Sequence, residues 1–233
     1  SAIKKSQVVV GYRTYINLLG GLLKNKEVVV SGMGEEVKRA NYAIKEALNN
    51  KRVCIISSGD PGIYGMAGLV LELLNKDEEG SIEIEIIPGI PAASSCAALL
   101  GAPIAHDFAV ISLSDLLTDA RLIEKRVAAA AKGDFAIVFY NPRSRRRTRP
   151  LERALEILIK YRSPDTPCGI VRNAGRKNQE IIVIVLKDLA LFKERIDMRT
   201  TLIIGNSRTF IKGKYIITPR GYALKYNLER NTR

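Results

Sequence analysis

The stretch Ile55-Ile56-Ser57-Ser58-Gly59-Asp60-Pro61-Gly62-Ile63-Tyr64-Gly65 decides the fold of this 233-residue chain. Just before it, Val53 to Ile56 is a short apolar run that stops at turn residues, the pattern of a buried strand. Gly59, Pro61 and Gly62 then break the chain within four positions. Beyond Gly65, the apolar residues Met66, Leu69, Val70, Leu73 and Leu74 recur at helical spacing. Strand, tight Gly-Asp-Pro turn, helix is how α/β proteins hold a ligand at the carboxyl end of a sheet. Small residues let the ligand reach the backbone, and the first N–H groups of the helix are free. Asp60 as a plain N-cap fits the spacing equally well, so the turn alone does not choose.

The pattern repeats outward from this turn. Ala2 to Gln7 reads as the end of a helix, Val8 to Val10 as a strand, and Tyr12 to Leu23 as an amphipathic helix. A strand is expected over Glu27 to Val30, and a helix over Glu35 to Asn49 with Val37, Ala40, Ile44, Ala47 and Leu48 on its inner face. After a charged loop, Asn75 to Gly80, the run Ile82 to Ile87 alternates with Glu83 and Glu85 as a strand with one wetter face. Pro88-Gly89-Ile90-Pro91-Ala92-Ala93-Ser94-Ser95-Cys96-Ala97-Ala98 is a second strand-turn-helix, whose small residues suit either a ligand or close helix packing. Pro103 to Asp107 interrupts the pattern. Two α/β domains are therefore expected, residues 1–105 and 106–233, the first with a mainly parallel sheet.

The second half opens with strand Phe108 to Ile111 and the polar turn Ser112-Leu113-Ser114-Asp115, which can cap the helix running to Lys132. Strand Asp134 to Tyr140 stops at Asn141-Pro142, and five arginines follow within residues 143–149, ahead of the helix Leu151 to Tyr161. Such a cluster is a phosphate or carboxylate clamp or a solvated face, and its position after a strand end favours the clamp. Further strands are expected over Cys168 to Val171, Glu180 to Val185 and Thr201 to Ile204, with a helix over Lys187 to Glu194. Few long helices separate them, so this sheet should be mixed. The tail from Lys212, with Lys214, Arg220, Lys225, Arg230 and Arg233, is basic and expected to be partly disordered.

Composition narrows the function. Thirty-seven Lys and Arg against twenty-four Asp and Glu give a net charge of +13, which calls for an anionic partner or reflects adaptation to heat. Tryptophan is absent and aromatics are 6% of the chain, so a base-stacking platform is poorly supported. Cys54, Cys96 and Cys168 are odd in number, far apart and in apolar surroundings, as expected of free thiols in a reducing cytoplasm. With His106 the one histidine, no metal site is expected. No apolar run is long enough to cross a bilayer, and no membrane association is expected.

Side by side, these pieces resemble the tetrapyrrole (corrin/porphyrin) methyltransferases. The matching stretches are Ser58-Gly59-Asp60-Pro61, residues 88–94, Val138 to Pro142, Val171 to Arg176 and Thr200 to Gly205, in the family's order over nearly the whole chain. Within the family, Gly11-Tyr12, Ala105-His106-Asp107-Phe108, residues 111–118 and Tyr140 to Ser144 are most similar to the branch that methylates C-17 of a precorrin-3-stage macrocycle and contracts its ring in cobalamin synthesis. The resemblance implies two α/β domains of the class III methyltransferase type with S-adenosylmethionine in a cleft between them. It implies cofactor contacts from Ser58, Gly59, Asp60, Ile63, Pro91, Ala92, Asn141 and Ala174. A homodimer, and a tetrapyrrole substrate with or without cobalt, follow from it too. The family carries an N-terminal strand and a Gly-Pro-Gly loop that this sequence is expected to lack.

His106, as the only imidazole, is the candidate for proton movement, or else a hinge residue bonded to backbone. Ser114, Asp115, Arg143 and Arg146 are the substrate candidates, since a basic rim suits a ligand bearing many carboxylates. Two alternatives stay open: a sibling enzyme acting at another ring carbon, and a basic RNA-binding module. RNA binding would explain neither the Asp60 turn nor the Pro91 turn, so no nucleic-acid partner is expected.

Overall fold

A computed structural model of the chain describes residues 1–78 and 80–226. They divide into two compact units, one up to Pro91 and one from Ala92 onward. The first contains α1 (Ala2–Lys5), β1 (Val8–Tyr12), α2 (Arg13–Ile16), β2 (Glu27–Ser31), α3 (Glu36–Leu48), β3 (Val53–Ile56) and α4 (Ala67–Leu73). Its sheet has the order β2-β1-β3 and is parallel throughout. The central strand is buried on both faces, which is why it reads Val8-Val9-Val10 without alternation. Ala43 of α3 packs on Val8 and Val10, with Val29 and Ile55 alongside. Because Gly11 is level with Val30 on one side and Ile56 on the other, the loops after β1, β2 and β3 all open at one edge.

Two expectations fail in this unit. The helix expected over Tyr12 to Leu23 is one turn of α2 and a 3-10 turn, Gly20–Leu23. α2 stops at Ile16, and Gly20, at φ +49° in the left-handed region, opens the separate 3-10 turn. Residues 83–90 are extended but form no strand, and Ile84, Ile86 and Ile87 stay partly exposed. Alternation makes a strand only where a neighbour supplies the ladder, and β3 pairs only with β1 among the described residues.

The second unit runs α5 (Ala92–Leu100), β4 (Gly101–Ala102), β5 (Phe108–Ser112), α6 (Ala120–Lys132), β6 (Ala136–Tyr140), α7 (Arg149–Tyr161), β7 (Pro167–Arg172) and β8 (Glu180–Val185). A 3-10 segment (Leu186–Arg195), β9 (Thr200–Ile204), β10 (Phe210–Lys212), β11 (Tyr215–Ile217) and α8 (Tyr222–Lys225) complete it. The main sheet has the order β5-β6-β9-β7-β8 and is mixed, with β9 and β8 running against the others. Side chains alternate across it as a period of two requires. Ile137, Phe139, Ile170, Leu202 and Ile204 pack with α6, α7 and the 3-10 segment, whereas Val138, Val171 and Ile203 pack with α5.

That second cluster sets the boundary between the units. Ala93, Cys96, Ala97 and Leu100 lie in it, so α5 belongs with the second sheet. The division falls after Pro91, whereas the sequence pattern set it at 105/106. The described part of the basic tail is built into the fold. β10 and β11 form a hairpin, β11 pairs in parallel with β4, and Ile216 is wholly buried. Arg230 and Arg233 lie outside the described residues. No helix among the described residues is long and apolar enough to cross a membrane.

Candidate functional site

In the first unit, the Gly-Asp-Pro turn is closed by its own backbone. Ile63 N donates to Asp60 O (3.2 Å) and Ala67 N to Pro61 O (3.0 Å), while Ser57 Oγ accepts from Met66 N (3.1 Å). Helix α4 begins only at Ala67, so Asp60 is not its cap. The carboxylate does something the sequence did not disclose. Its Oδ1 accepts from Gly62 N (2.8 Å), and its Oδ2 accepts from Gly89 N (3.1 Å), twenty-nine residues away. Asp60 therefore latches the Gly-Asp-Pro turn to the Pro-Gly turn that leads to Pro91. Gly59 adopts φ +72°, and a Cβ on Gly89 would meet the Gly59 carbonyl oxygen, so this approach needs glycine at both places. Ser58, Gly59 and Ile63 remain exposed on the rim, beside the apolar side chains of Tyr64 and Ile90.

Arg39 supports this rim from behind and was missed in the sequence. It is 5% exposed, and its guanidinium donates to Ser31 Oγ, to Gly32 O (3.4 Å) and to Met66 Sδ (3.7 Å). It thus ties α3 to the end of β2 and to the start of α4. A signal was present: Arg39 stands four residues before Ala43, on the buried face of its helix.

In the second unit, β5, β6 and β7 end at Ser112, Tyr140 and Arg172 along one edge of the sheet, where α/β proteins bind ligands. Asn141, at φ +51°, donates from Nδ2 to Ser112 Oγ (3.0 Å). Ala92 opens α5, whose next residue donates from its N–H to the Tyr140 hydroxyl (2.7 Å). Ala174 packs on the α5 cluster just after Asn173, whose N–H donates to Arg199 O (3.1 Å). The edge thus gathers Ala92, Asn141 and Ala174.

The Ala174 loop is braced by Asp197, which accepts from Arg172 (2.9 Å) and Arg199 (2.9 Å). Burial acts to raise the Asp197 carboxyl, but the hydrogen bonds from Arg172 and Arg199 overcome it and hold the pKa at about 2. The folded value lies below the unfolded value of about 3.9, so this stabilisation is present above about pH 4 and is lost as pH falls through about 2. Thermal unfolding of Asp197→Asn should therefore show a deficit against wild type at neutral pH that closes between about pH 4 and 2. A deficit independent of pH would contradict the ion-pair origin.

The arginine cluster divides. Arg143 forms a bidentate pair with Glu194 (2.8 and 3.2 Å) and donates to Lys193 O (2.7 Å), so its guanidinium is engaged by the 3-10 segment. Arg147 donates to Leu113 O (2.9 Å) and Asn141 O (3.1 Å) and lies 3.8 Å from Asp115, so it joins the two loops that follow β5 and β6. Burial pushes the Arg147 guanidinium down, and Asp115 opposes that shift. Arg145, Arg146 and Arg149 are exposed, and no hydrogen bond or ion pair holds them among the described residues. Ser114 donates its N–H to Ser112 Oγ (3.3 Å), and Asp119, not Ser114 or Asp115, caps α6.

His106 is elsewhere. It precedes β5, whose five residues, rising ~3.3 Å each, place Phe108 about 13 Å from Ser112, so His106 lies by the opposite end of the strand from the edge that carries Asn141. Its Nδ1 accepts from Asp107 N (2.7 Å), and it lines a cavity of about 310 Å³ with Asp134, Asn206 and Arg208. The structure thus separates the one imidazole from the residues expected to surround a cofactor in this unit.

The comparisons with known proteins agree with this architecture. A family profile described as Tetrapyrrole (Corrin/Porphyrin) Methylases matches residues 1–190. The chain is 52% identical over 232 residues to a Priestia megaterium protein named cobalt-factor III methyltransferase, covering 98% of this chain but 43% of that protein. A Salmonella typhimurium relative named probable cobalt-factor III C(17)-methyltransferase is 47% identical over 96% of this chain and 91% of its own length. The crystal structure of the methyltransferase CobJ superposes with a TM-score of 0.88 at 37% identity, covering 94% of this chain and 90% of that one. On that likeness, which runs through both sheets and their turns, the chain belongs to the tetrapyrrole (corrin/porphyrin) methylases.

Proposed function

We propose that this protein transfers a methyl group from S-adenosylmethionine to C-17 of a cobalt-loaded precorrin-3-stage macrocycle, with ring contraction, in cobalamin biosynthesis. The observation that carries this function is likeness over nearly the whole chain to relatives named for cobalt-factor III methylation. The cobalt form is favoured because both of those names specify it.

The residues present fit the cofactor. The Gly59–Gly89 approach is a backbone cradle that a Cβ would fill, and the Asp60 latch holds its two sides together. Ser58, Gly59, Asp60, Ile63, Pro91, Ala92, Asn141 and Ala174 are the residues that would hold the cofactor. When bound, the sulfonium supplies an activated methyl group to a nucleophilic ring carbon and needs no metal for that step. The protein's task is alignment and exclusion of water, which small residues and fixed backbone serve. His106 is not given the proton-transfer role, because of its place at the far end of the sheet. An RNA-binding module is supported less, since Arg143 and Arg147 are engaged inside the fold.

The test is incubation with methyl-labelled S-adenosylmethionine and either cobalt-loaded or metal-free tetrapyrrole, with the product examined by mass and carbon NMR. Label at C-17 of the cobalt-loaded product is expected. Label at another ring carbon would move the protein to a sibling reaction, and no transfer to either would contradict the proposal.

A further inference from the structure

The loop between β5 and α6 carries an apolar crest that the fold does not use. Leu116 is 80% exposed and Leu117 fully exposed, whereas Leu113, three residues earlier, is wholly buried. The ends of the loop are fixed: Leu113 N donates to Tyr140 O (2.9 Å), Arg147 donates to Leu113 O, and Asp119 caps α6 through the N–H groups of Arg121 and Leu122. Adjacent leucines held clear of their own core on a pinned loop are a standing contact surface. They stand at the strand-end edge shared by Ser112 and Asn141.

What lies beside them indicates the occupant. Arg147 joins this loop to the one after β6, which carries the exposed Arg145 and Arg146, unpaired among the described residues, with Arg149 opening α7. Cations at a helix N-terminus add to the positive end of its dipole, so this rim favours anions. An apolar crest flanked by free guanidinium groups complements a ligand that is flat and apolar in its middle and carboxylated at its edge. A second copy of this chain would place the same cations opposite one another. We infer that Leu116 and Leu117 cover a face of the tetrapyrrole macrocycle while Arg145, Arg146 and Arg149 meet its carboxylates, an assignment that rests on the function proposed above.

The experiment uses the full chain and its Leu116→Ser/Leu117→Ser variant, with Leu116→Met/Leu117→Met as the conservative partner. Cobalt-factor III binding is followed by its visible absorption, S-adenosylhomocysteine binding by calorimetry, and assembly size by sedimentation. The serine variant should bind the tetrapyrrole about tenfold or more weakly, from loss of apolar burial. Its S-adenosylhomocysteine affinity and assembly size should be unchanged, and the methionine variant should restore tetrapyrrole binding. Equal tetrapyrrole affinity in wild type and serine variant overturns the assignment while leaving the function standing. A smaller assembly in the serine variant overturns it in favour of a contact between copies. Failure of wild type to bind the tetrapyrrole removes the function itself.

Discussion

Gly89→Val is expected to weaken S-adenosylhomocysteine binding about a hundredfold or more, because it misplaces one side of the proposed cofactor cradle relative to the other. A Cβ at this position has nowhere to go: it would meet the backbone carbonyl oxygen of Gly59, which cannot rotate away as a side chain would. The clash drives the Pro-Gly turn off the Gly-Asp-Pro turn and breaks the Gly89 N to Asp60 Oδ2 bond. Asp60→Asn should fall between this variant and wild type, since an amide keeps an acceptor for one of the two N–H groups that the carboxylate serves. Calorimetric titration of both variants checks the order. Wild-type affinity in Gly89→Val would mean that the two turns do not act together.

The second large effect concerns stability and lies far from the rim. Arg162 follows α7, and only 7% of it is exposed. It donates to Ala131 O (2.7 Å), Phe135 O (2.7 Å) and Asp134 Oδ1 (2.7 Å), joining the end of α6 to the start of β6. Burial pushes its guanidinium down, with Asp134 opposing the shift. Arg162→Ala leaves two carbonyls without their donor and empties the space the side chain filled. The expected loss is about 2–4 kcal/mol, read as a lowered denaturant midpoint. Ile159, on the same helix but 63% exposed, is the control, and Ile159→Ser should stay within about 0.5 kcal/mol of wild type. A small effect at Arg162 would mean that water replaces the guanidinium at those carbonyls.

What the sequence disclosed was local in origin. Val8 to Val10 read as a buried parallel strand because both faces are covered, and Val53 to Ile56 proves half-buried. Of the inner face expected for α3, Ala40 and Ile44 are buried, whereas Val37 and Leu48 are exposed and Ala43 takes their place against the sheet. The apolar run ending at Tyr140 read as a strand, and its alternate residues divide between the two faces of the sheet, Ile137 and Phe139 on one and Val138 on the other. The Gly-Asp-Pro and Pro-Gly turns were visible as candidate binding elements for the same reason: glycine and proline act on their own backbone.

What stayed hidden depends on partners distant in the chain. Nothing near Arg143 or Arg147 indicated that Glu194 and Leu113 would engage them, so five arginines looked alike, although the fold engages these two and no hydrogen bond or ion pair holds the other three among the described residues. Asp60 was marked as a ligand or cap residue, but its bond to Gly89 spans a whole helix and loop. Ile82 to Ile87 had the alternation of a strand, yet a strand also needs an edge to pair with, and alternation carries no information about the neighbour. Leu116 and Leu117, within the matching stretch 111–118, gave no sign of their exposure, because exposure of an apolar pair is a property of the fold around it.

The central claim is that the latched turns of this protein hold S-adenosylmethionine. Its most direct test is calorimetric titration of wild type and Asp60→Ala with S-adenosylhomocysteine, with folding of both verified by circular dichroism. Saturable binding to wild type, weakened about tenfold or more in Asp60→Ala, is the expected result. Equal binding by both proteins, or none by folded wild type, would contradict it.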